Sequence, residues 1–190
     1  MSRNRWIISS IALIVALAGI VLGLMNSQKA ASGVTLSERF ENSASIHFSY
    51  PAGWQFVIPE QNIIFLGSPE VLNQEVGASI TIQRSLRLMT EVETLDDALA
   101  LFLERGPLAD GRAWEVIDAA RAIQIDGRDA RITVLEGADI EGAERLRSEI
   151  AVTESDNGVY YVFAATAGIA QWPETEPIIQ AILDSVDILE

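Results

Sequence analysis

The sequence predicts an α+β domain, a twisted and mainly antiparallel sheet flanked by helices, preceded by one N-terminal transmembrane helix. Three observations lead there. Residues 6–25 are apolar and uncharged. From Ser45 onward, apolar residues recur mostly at every second position, between tight-turn pairs such as Asp126-Gly127 and Asn157-Gly158. Two stretches, opening at Thr94 and at Pro173, switch to the three-and-four spacing of a helix. A fully wound parallel sheet needs helices between most strands, and two-residue turns stand there instead.

The stretch from Trp6 to Met25 reads WIISSIALIVALAGIVLGLM, with only Ser9, Ser10, Gly19 and Gly23 outside the strongly apolar set. At about 1.5 Å rise per residue it spans roughly 30 Å, the thickness of a bilayer's hydrocarbon layer. A cleavable signal has a shorter apolar core followed closely by a small-x-small site. Here the best small pair, Ala30 and Ser32, comes several residues after the run, so an uncleaved anchor is expected. With no cysteine, a lipid-modified cysteine anchor is excluded. Arg3 and Arg5 abut the N-terminal end, so the positive-inside rule keeps residues 1–5 cytoplasmic and exports everything after the helix. Ser9, Ala12, Ala16, Gly19 and Gly23 form one stripe of small residues, a candidate surface for packing against a second membrane helix, of this chain or of another subunit. Residues 26–44, rich in Ser and Ala and without period, read as a tether, and 45–190 as the folded domain.

Within that domain, Ile46, Phe48 and Tyr50 alternate with Ser45, His47 and Ser49, and Pro51-Ala-Gly-Trp54 turns into a second strand over residues 54–58, so the two are expected to pair as a tight hairpin. Ile63-Ile-Phe-Leu66 and the alternating 78–84 read as a third and a fourth strand. Thr94 caps a helix carrying Leu95, Ala98, Leu99 and Phe102 on one stripe, with Asp97 completing a shortened capping box and Gly106-Pro107 ending it. Residues 114–118 and 121–125 are extended, and Asp126-Gly127 turns into a strand with Ala130, Ile132 and Val134. Leu146, Ser148, Ile150 and Val152 share one face of the next strand, and Asn157-Gly158 leads into Val159-Tyr-Tyr-Val-Phe-Ala-Ala165. A last helix, 173–186, starts at Pro173 and sets Ile178, Ala181, Ile182 and Ser185 on a stripe beside Ile179, Leu183 and Val186; it should cover one face of the sheet.

This order of elements resembles the PsbP-like family. The likeness is carried by His47-Phe-Ser-Tyr-Pro-Ala-Gly-Trp54, Thr94-Leu-Asp-Asp-Ala98, Ile125-Asp-Gly-Arg-Asp-Ala130, Val159-Tyr-Tyr-Val-Phe163 and Ile182-Leu-Asp-Ser-Val186, and runs over most of residues 45–188. The resemblance implies an α/β/α sandwich and a non-enzymatic role; relatives include photosystem II extrinsic subunits, a Ran-binding nuclear factor and bacterial secreted or lipid-anchored proteins. These are turn and core positions, so they carry over a fold and no functional residue. The photosynthetic subunits are soluble or lipid-anchored, whereas a plain membrane helix is expected here, which marks a membrane-anchored, bacterial-type member.

Composition removes most chemistry. The chain of 190 residues has 27 acidic and 13 basic side chains, a net charge of −14, no cysteine and a single histidine. Arg3, Arg5 and Lys29 precede the first acid, Glu38, so the exported body is more acidic still and repels phosphate backbones and anionic headgroups. Nucleic acid is therefore excluded as a partner. Without cysteine or a second histidine, His47 completes no imidazole zinc site and reads as a half-exposed structural residue. Lys29, the only lysine, lies in the tether, so no Ser-Lys dyad forms in the domain. Neither phosphate-loop pattern occurs. The acidic clusters at 139–144 and 154–158 fit no twelve-residue calcium loop and read as solvated turns. The basic pairs Arg84 with Arg87 and Arg145 with Arg147 are expected to make cross-strand ion pairs. No catalytic residue, metal ligand or cofactor is assigned.

Trp54, Trp172 and Tyr160 remain as candidates for contact with a partner or ligand, Trp172 as the most exposed because it sits in the connection before the last helix. The expectation is a single-pass membrane protein whose extracytoplasmic, non-catalytic domain binds a membrane or envelope protein or helps assemble a membrane complex. The alternatives are a small-ligand carrier or sensor with an apolar pocket, and a carboxylate-dependent hydrolase.

Overall fold

Ten strands and three helices follow one another in the unit that runs from Thr35 to the C-terminus of the computed structural model, which describes residues 33–41, 43–73, 75, 77–86, 92–106, 113–138 and 144–189. The expected membrane helix at 6–25 and its stripe Ala12, Ala16, Gly19 and Gly23 lie outside the described residues, as do residues 26–32 of the tether and Arg87. Among the described residues no helix is long and apolar enough to cross a membrane.

The elements are β1 (Glu38–Phe40), β2 (Ile46–Tyr50), β3 (Gln55–Glu60), β4 (Ile63–Gly67), α1 (Pro69–Leu72), β5 (Ser79–Leu86), α2 (Leu95–Arg105), β6 (Glu115–Ile125), β7 (Arg128–Ala138), β8 (Arg145–Glu154), β9 (Val159–Gly168), α3 (Trp172–Asp184) and β10 (Asp187–Ile188). Seven strands form one antiparallel sheet in the order β3-β4-β5-β9-β8-β7-β6, and β1-β2-β10 form a small second sheet. The expected α+β class and its mainly antiparallel sheet are both present.

Two local expectations are corrected. The strand read at 46–50 does not pair with the one that follows; β2 pairs with β1 on one side and β10 on the other. The Pro51–Trp54 turn, closed by the Trp54 N–H to the Pro51 carbonyl at 3.3 Å, changes sheets instead of closing a hairpin. In addition, Glu38–Phe40, read as tether, is a strand. Phe40 is fully buried, its ring stacked on Phe48 at 4.8 Å and edge-on to Phe56 at 4.9 Å, and this aromatic contact fastens the small sheet to the large one.

The central strands are buried on both faces. Tyr161, Phe163, Ala165 and Ala167 of β9 join Ile80, Ile82, Ile132 and Ala151 beneath α3 and the small sheet, while Tyr160 and Val162 join Leu135, Ile150 and Val152 beneath α2. This is why β9 shows a continuous apolar run rather than alternation. The α2 cap forms as the sequence predicts, the Asp97 N–H donating to Thr94 Oγ1 at 3.1 Å and the Thr94 hydroxyl donating back to Asp97 at 2.7 Å.

Helix α3 begins one residue before Pro173 and tolerates Pro177 in its interior. An interior proline costs a helix about 3 kcal/mol, but Ile179, Ile182 and Leu183 are at most 4% exposed and their burial is worth about 1.5–3 kcal/mol each. Packing outweighs propensity here. The buried stripe therefore runs through Thr175, Ile179, Ile182 and Leu183, with Ile178 and Ala181 at its margin.

Candidate functional site

Of the three aromatic contact candidates, Trp54 is 8% exposed, Trp172 3% and Tyr160 0%. Trp172 opens α3 rather than lying in the preceding connection, so its ring is turned onto the sheet, where the Arg147 guanidinium stands 5.8 Å from the ring centre. Tyr160 faces α2 from β9, its ring 6.5 Å from that of Phe102. Trp54 lines a recess, of about 310 Å³, with Pro69 of α1 and Gln171, Thr175 and Ile178 around α3. His47 sits half-buried on the same face of β2 as Ser49, as expected.

The arginine pairs separate. Arg145 and Arg147 both donate to Glu136 of β7, Arg145 at 3.1 Å and the Arg147 Nε at 3.1 Å, the cross-strand pairing the sequence suggests. Arg84 departs from the expectation. Ile80, Ile82 and Arg84 project in succession from the inner face of β5, so Arg84 occupies the third position of a row that otherwise fills the core. Its Nε is sealed from solvent and makes no hydrogen bond, and among the described residues its guanidinium joins no ion pair. The signal was an arginine at an inward period-two position, and composition alone had no means of separating it from its paired counterparts.

One buried carboxylate was also missed. Glu149, next inward residue after Arg147 on β8, is 8% exposed. Burial, foremost, and the nearby Glu176 hold its pKa above the ordinary carboxylate range, with Arg121 and Arg147 opposing the shift and Asp118 adding to it. Such a group is electronically suited to hold a proton, yet it lines neither the Trp54 recess nor those around Arg84.

The long edge strand β6 lies largely open. Ten of its eleven positions are half-buried or exposed, and Val116 and Ile117 are 49% and 45% exposed although consecutive. Register shifts against β7 between Val116 and Asp118 and again before Arg121 explain how neighbours on a strand both reach solvent. Ala119, Ala120 and Ala122 extend the apolar strip. In sequence the clue was the loss of strict alternation in EVIDAARA. The opposite edge, β3, exposes Val57 and Ile58 but is interrupted by Pro59 and a register shift of its own.

With this architecture in hand, solved structures supply the comparison. The chain is similar to cyanobacterial PsbP from Synechocystis, at TM-score 0.55 and 14% identity, over 84% of this chain and 96% of that one. The chain has a PsbP-like fold. The PsbP-like fold is shared with the Saccharomyces cerevisiae Ran-binding protein Mog1p, at TM-score 0.59 and 12% identity over 82% of this chain and 97% of that one. It is shared too with LpqN of Mycobacterium tuberculosis, a protein involved in cell envelope biogenesis, at TM-score 0.56 and 11% identity over 84% and 88%. No protein-family model and no curated protein matches the chain. At such identities the likeness is one of PsbP-like fold, which places the strands and helices and assigns no side chain a role.

Proposed function

We propose that this chain is a membrane-tethered, extracytoplasmic, non-catalytic domain that binds a protein partner in a membrane or envelope complex, and that β6 is its contact edge. The observation that carries this reading is the exposure of an eleven-residue edge strand, free of proline and glycine, with Val116 and Ile117 both turned to solvent. An open edge offers a row of unpaired N–H and C=O groups to an added strand, and flanking apolar side chains supply the affinity. The bulges and the charges of Asp118 and Arg121 limit pairing with indiscriminate partners. Two neighbours of the same fold point the same way, one named as Ran-binding and the other for envelope biogenesis. The tether and the export rest on the uncharged run at 6–25 and the flanking Arg3 and Arg5.

The test is cross-linking and capture of the full-length protein from its own membranes, comparing the native chain with a Val116→Lys/Ile117→Lys variant and with Ala120→Pro. A stoichiometric partner lost in both variants, with thermal unfolding unchanged in the lysine variant, is the expected result. Undiminished capture by both variants would remove β6 from the interface. Protease added to intact spheroplasts should digest the domain; digestion only after lysis would refute its placement outside.

A second reading, a small-ligand carrier or sensor, is favoured by one observation, the unpaired Arg84 in its recess.

A further inference from the structure

We infer that the recess around Arg84, at the opposite edge of the large sheet from β6, binds a small monocarboxylate with an apolar arm about the size of a benzene ring. Two cavities, of about 360 Å³ and 200 Å³, share Arg84, Gln61 and Asn62 as walls. The smaller adds Phe40, Ile58 and Ile64, an apolar pocket below the one cation among its described lining residues; an apolar cavity of about 150 Å³ is enough to take up benzene.

The case for an occupant begins with the arginine. Of the four arginines that are half-buried among the described residues, Arg128, Arg131 and Arg147 each hold a carboxylate of this chain, at Asp126, Asp96 and Glu136 respectively, and Arg84 holds none there. A guanidinium half-buried without a counter-charge is destabilising relative to one that has a partner. The position is costly to fill with arginine unless something else supplies the acceptor. The chain itself is crowded with carboxylates, 27 of them, yet among the described residues the walls of both cavities contain not one. The surroundings are instead the neutral amides of Gln61, Asn62 and Gln83 and the hydroxyls of Ser43 and Ser85. Such groups accept or donate around an anion without competing for the guanidinium.

The class of ligand follows from charge and lining. A guanidinium fork matches the two oxygens of a carboxylate, and also those of a phosphate or sulfate. One arginine balances one negative charge, so a dianion would bring an uncompensated charge into a protein of net charge −14. The apolar wall of Phe40, Ile58 and Ile64 has no counterpart on an inorganic ion. Ile58 and Leu86, 45% and 47% exposed, stand among the lining residues and give the arm an apolar way in.

The experiment uses the full chain in nonionic detergent, with benzoate as probe, benzamide as its uncharged match and sulfate as an anion lacking the arm. Calorimetric or ligand-observed NMR titration should show benzoate binding and benzamide binding at least tenfold more weakly. Arg84→Gln should weaken benzoate by about ten- to a hundredfold, as loss of a charge-assisted hydrogen bond does. Because that variant changes a half-buried residue, Ile58→Trp provides an independent check: it fills the pocket from an exposed position, leaves Arg84 intact, and should also abolish binding. Equal binding of benzoate and benzamide, benzoate binding undiminished in Arg84→Gln or Ile58→Trp, or no benzoate binding at all would each overturn the inference. Sulfate competing as well as benzoate would overturn the carboxylate assignment. None of these outcomes bears on capture through β6.

Discussion

Ser185, which the helical spacing counts among the residues of an apolar stripe, is the strap that closes the fold, and its removal has a calculable effect. It follows the last turn of α3, and its Oγ accepts the Ser49 N–H of β2 at 2.8 Å while its hydroxyl donates to the Ile182 carbonyl at 2.7 Å. It thus ties the last helix to the middle strand of the small sheet, across 136 residues of sequence. Ser185→Ala removes both of these hydrogen bonds; the Ile182 carbonyl keeps the Ser185 N–H at 3.1 Å, but the half-buried Ser49 N–H loses its side-chain acceptor, for a loss of about 1–3 kcal/mol. For a domain of this size each kcal/mol corresponds to roughly 2–4 °C in Tm. The assay is urea unfolding followed by circular dichroism, paired with amide hydrogen exchange. The denaturation midpoint should fall with an unchanged slope, and the Ser49 amide should lose protection selectively. A variant within about 0.5 kcal/mol of the native chain whose Ser49 amide keeps its protection would refute the assignment of this bond as a strap.

Further predictions concern the buried acid and the α2 cap. Glu149 has a folded-state pKa above its unfolded value of about 4.5, so the folded chain binds the extra proton and stability falls as pH rises from that value through the raised pKa. Glu149→Gln should therefore match the native chain in acid and become the more stable of the two above that window, as read from unfolding midpoints across pH; equal midpoints at neutral pH would sink this. Thr94→Ala removes the acceptor of the Asp97 N–H and should cost about 1 kcal/mol of unfolding free energy, with Thr94→Ser largely restoring it.

How far the sequence carried depended on the range of the interaction concerned. The Asp126-Gly127 pair forms a two-residue hairpin turn with φ of 52° and 69°, because a positive φ at both positions suits Asp followed by Gly and no distant residue is needed to specify it. The Thr94 cap, the β7–β8–β9 strands and the proline-started α3 were legible for the same reason. The Pro51–Trp54 turn was legible as a turn and misleading as a hairpin, since bending the chain does not say which strand its arms will meet.

By itself the sequence determined the α+β class, the antiparallel hairpins, the helix termini and the acidic, cysteine-free chemistry that leaves few catalytic options. Tertiary structure decided that β2 lies between β1 and β10, that Trp172 is covered, that Arg84 pairs with no carboxylate among the described residues and that β6 is left uncovered. Turns and caps are settled by a few adjacent residues through φ/ψ preferences and local hydrogen bonds, whereas strand partners, burial and ion pairing depend on groups brought together from far along the chain. Those contacts exist only once both faces of the sheet have been packed.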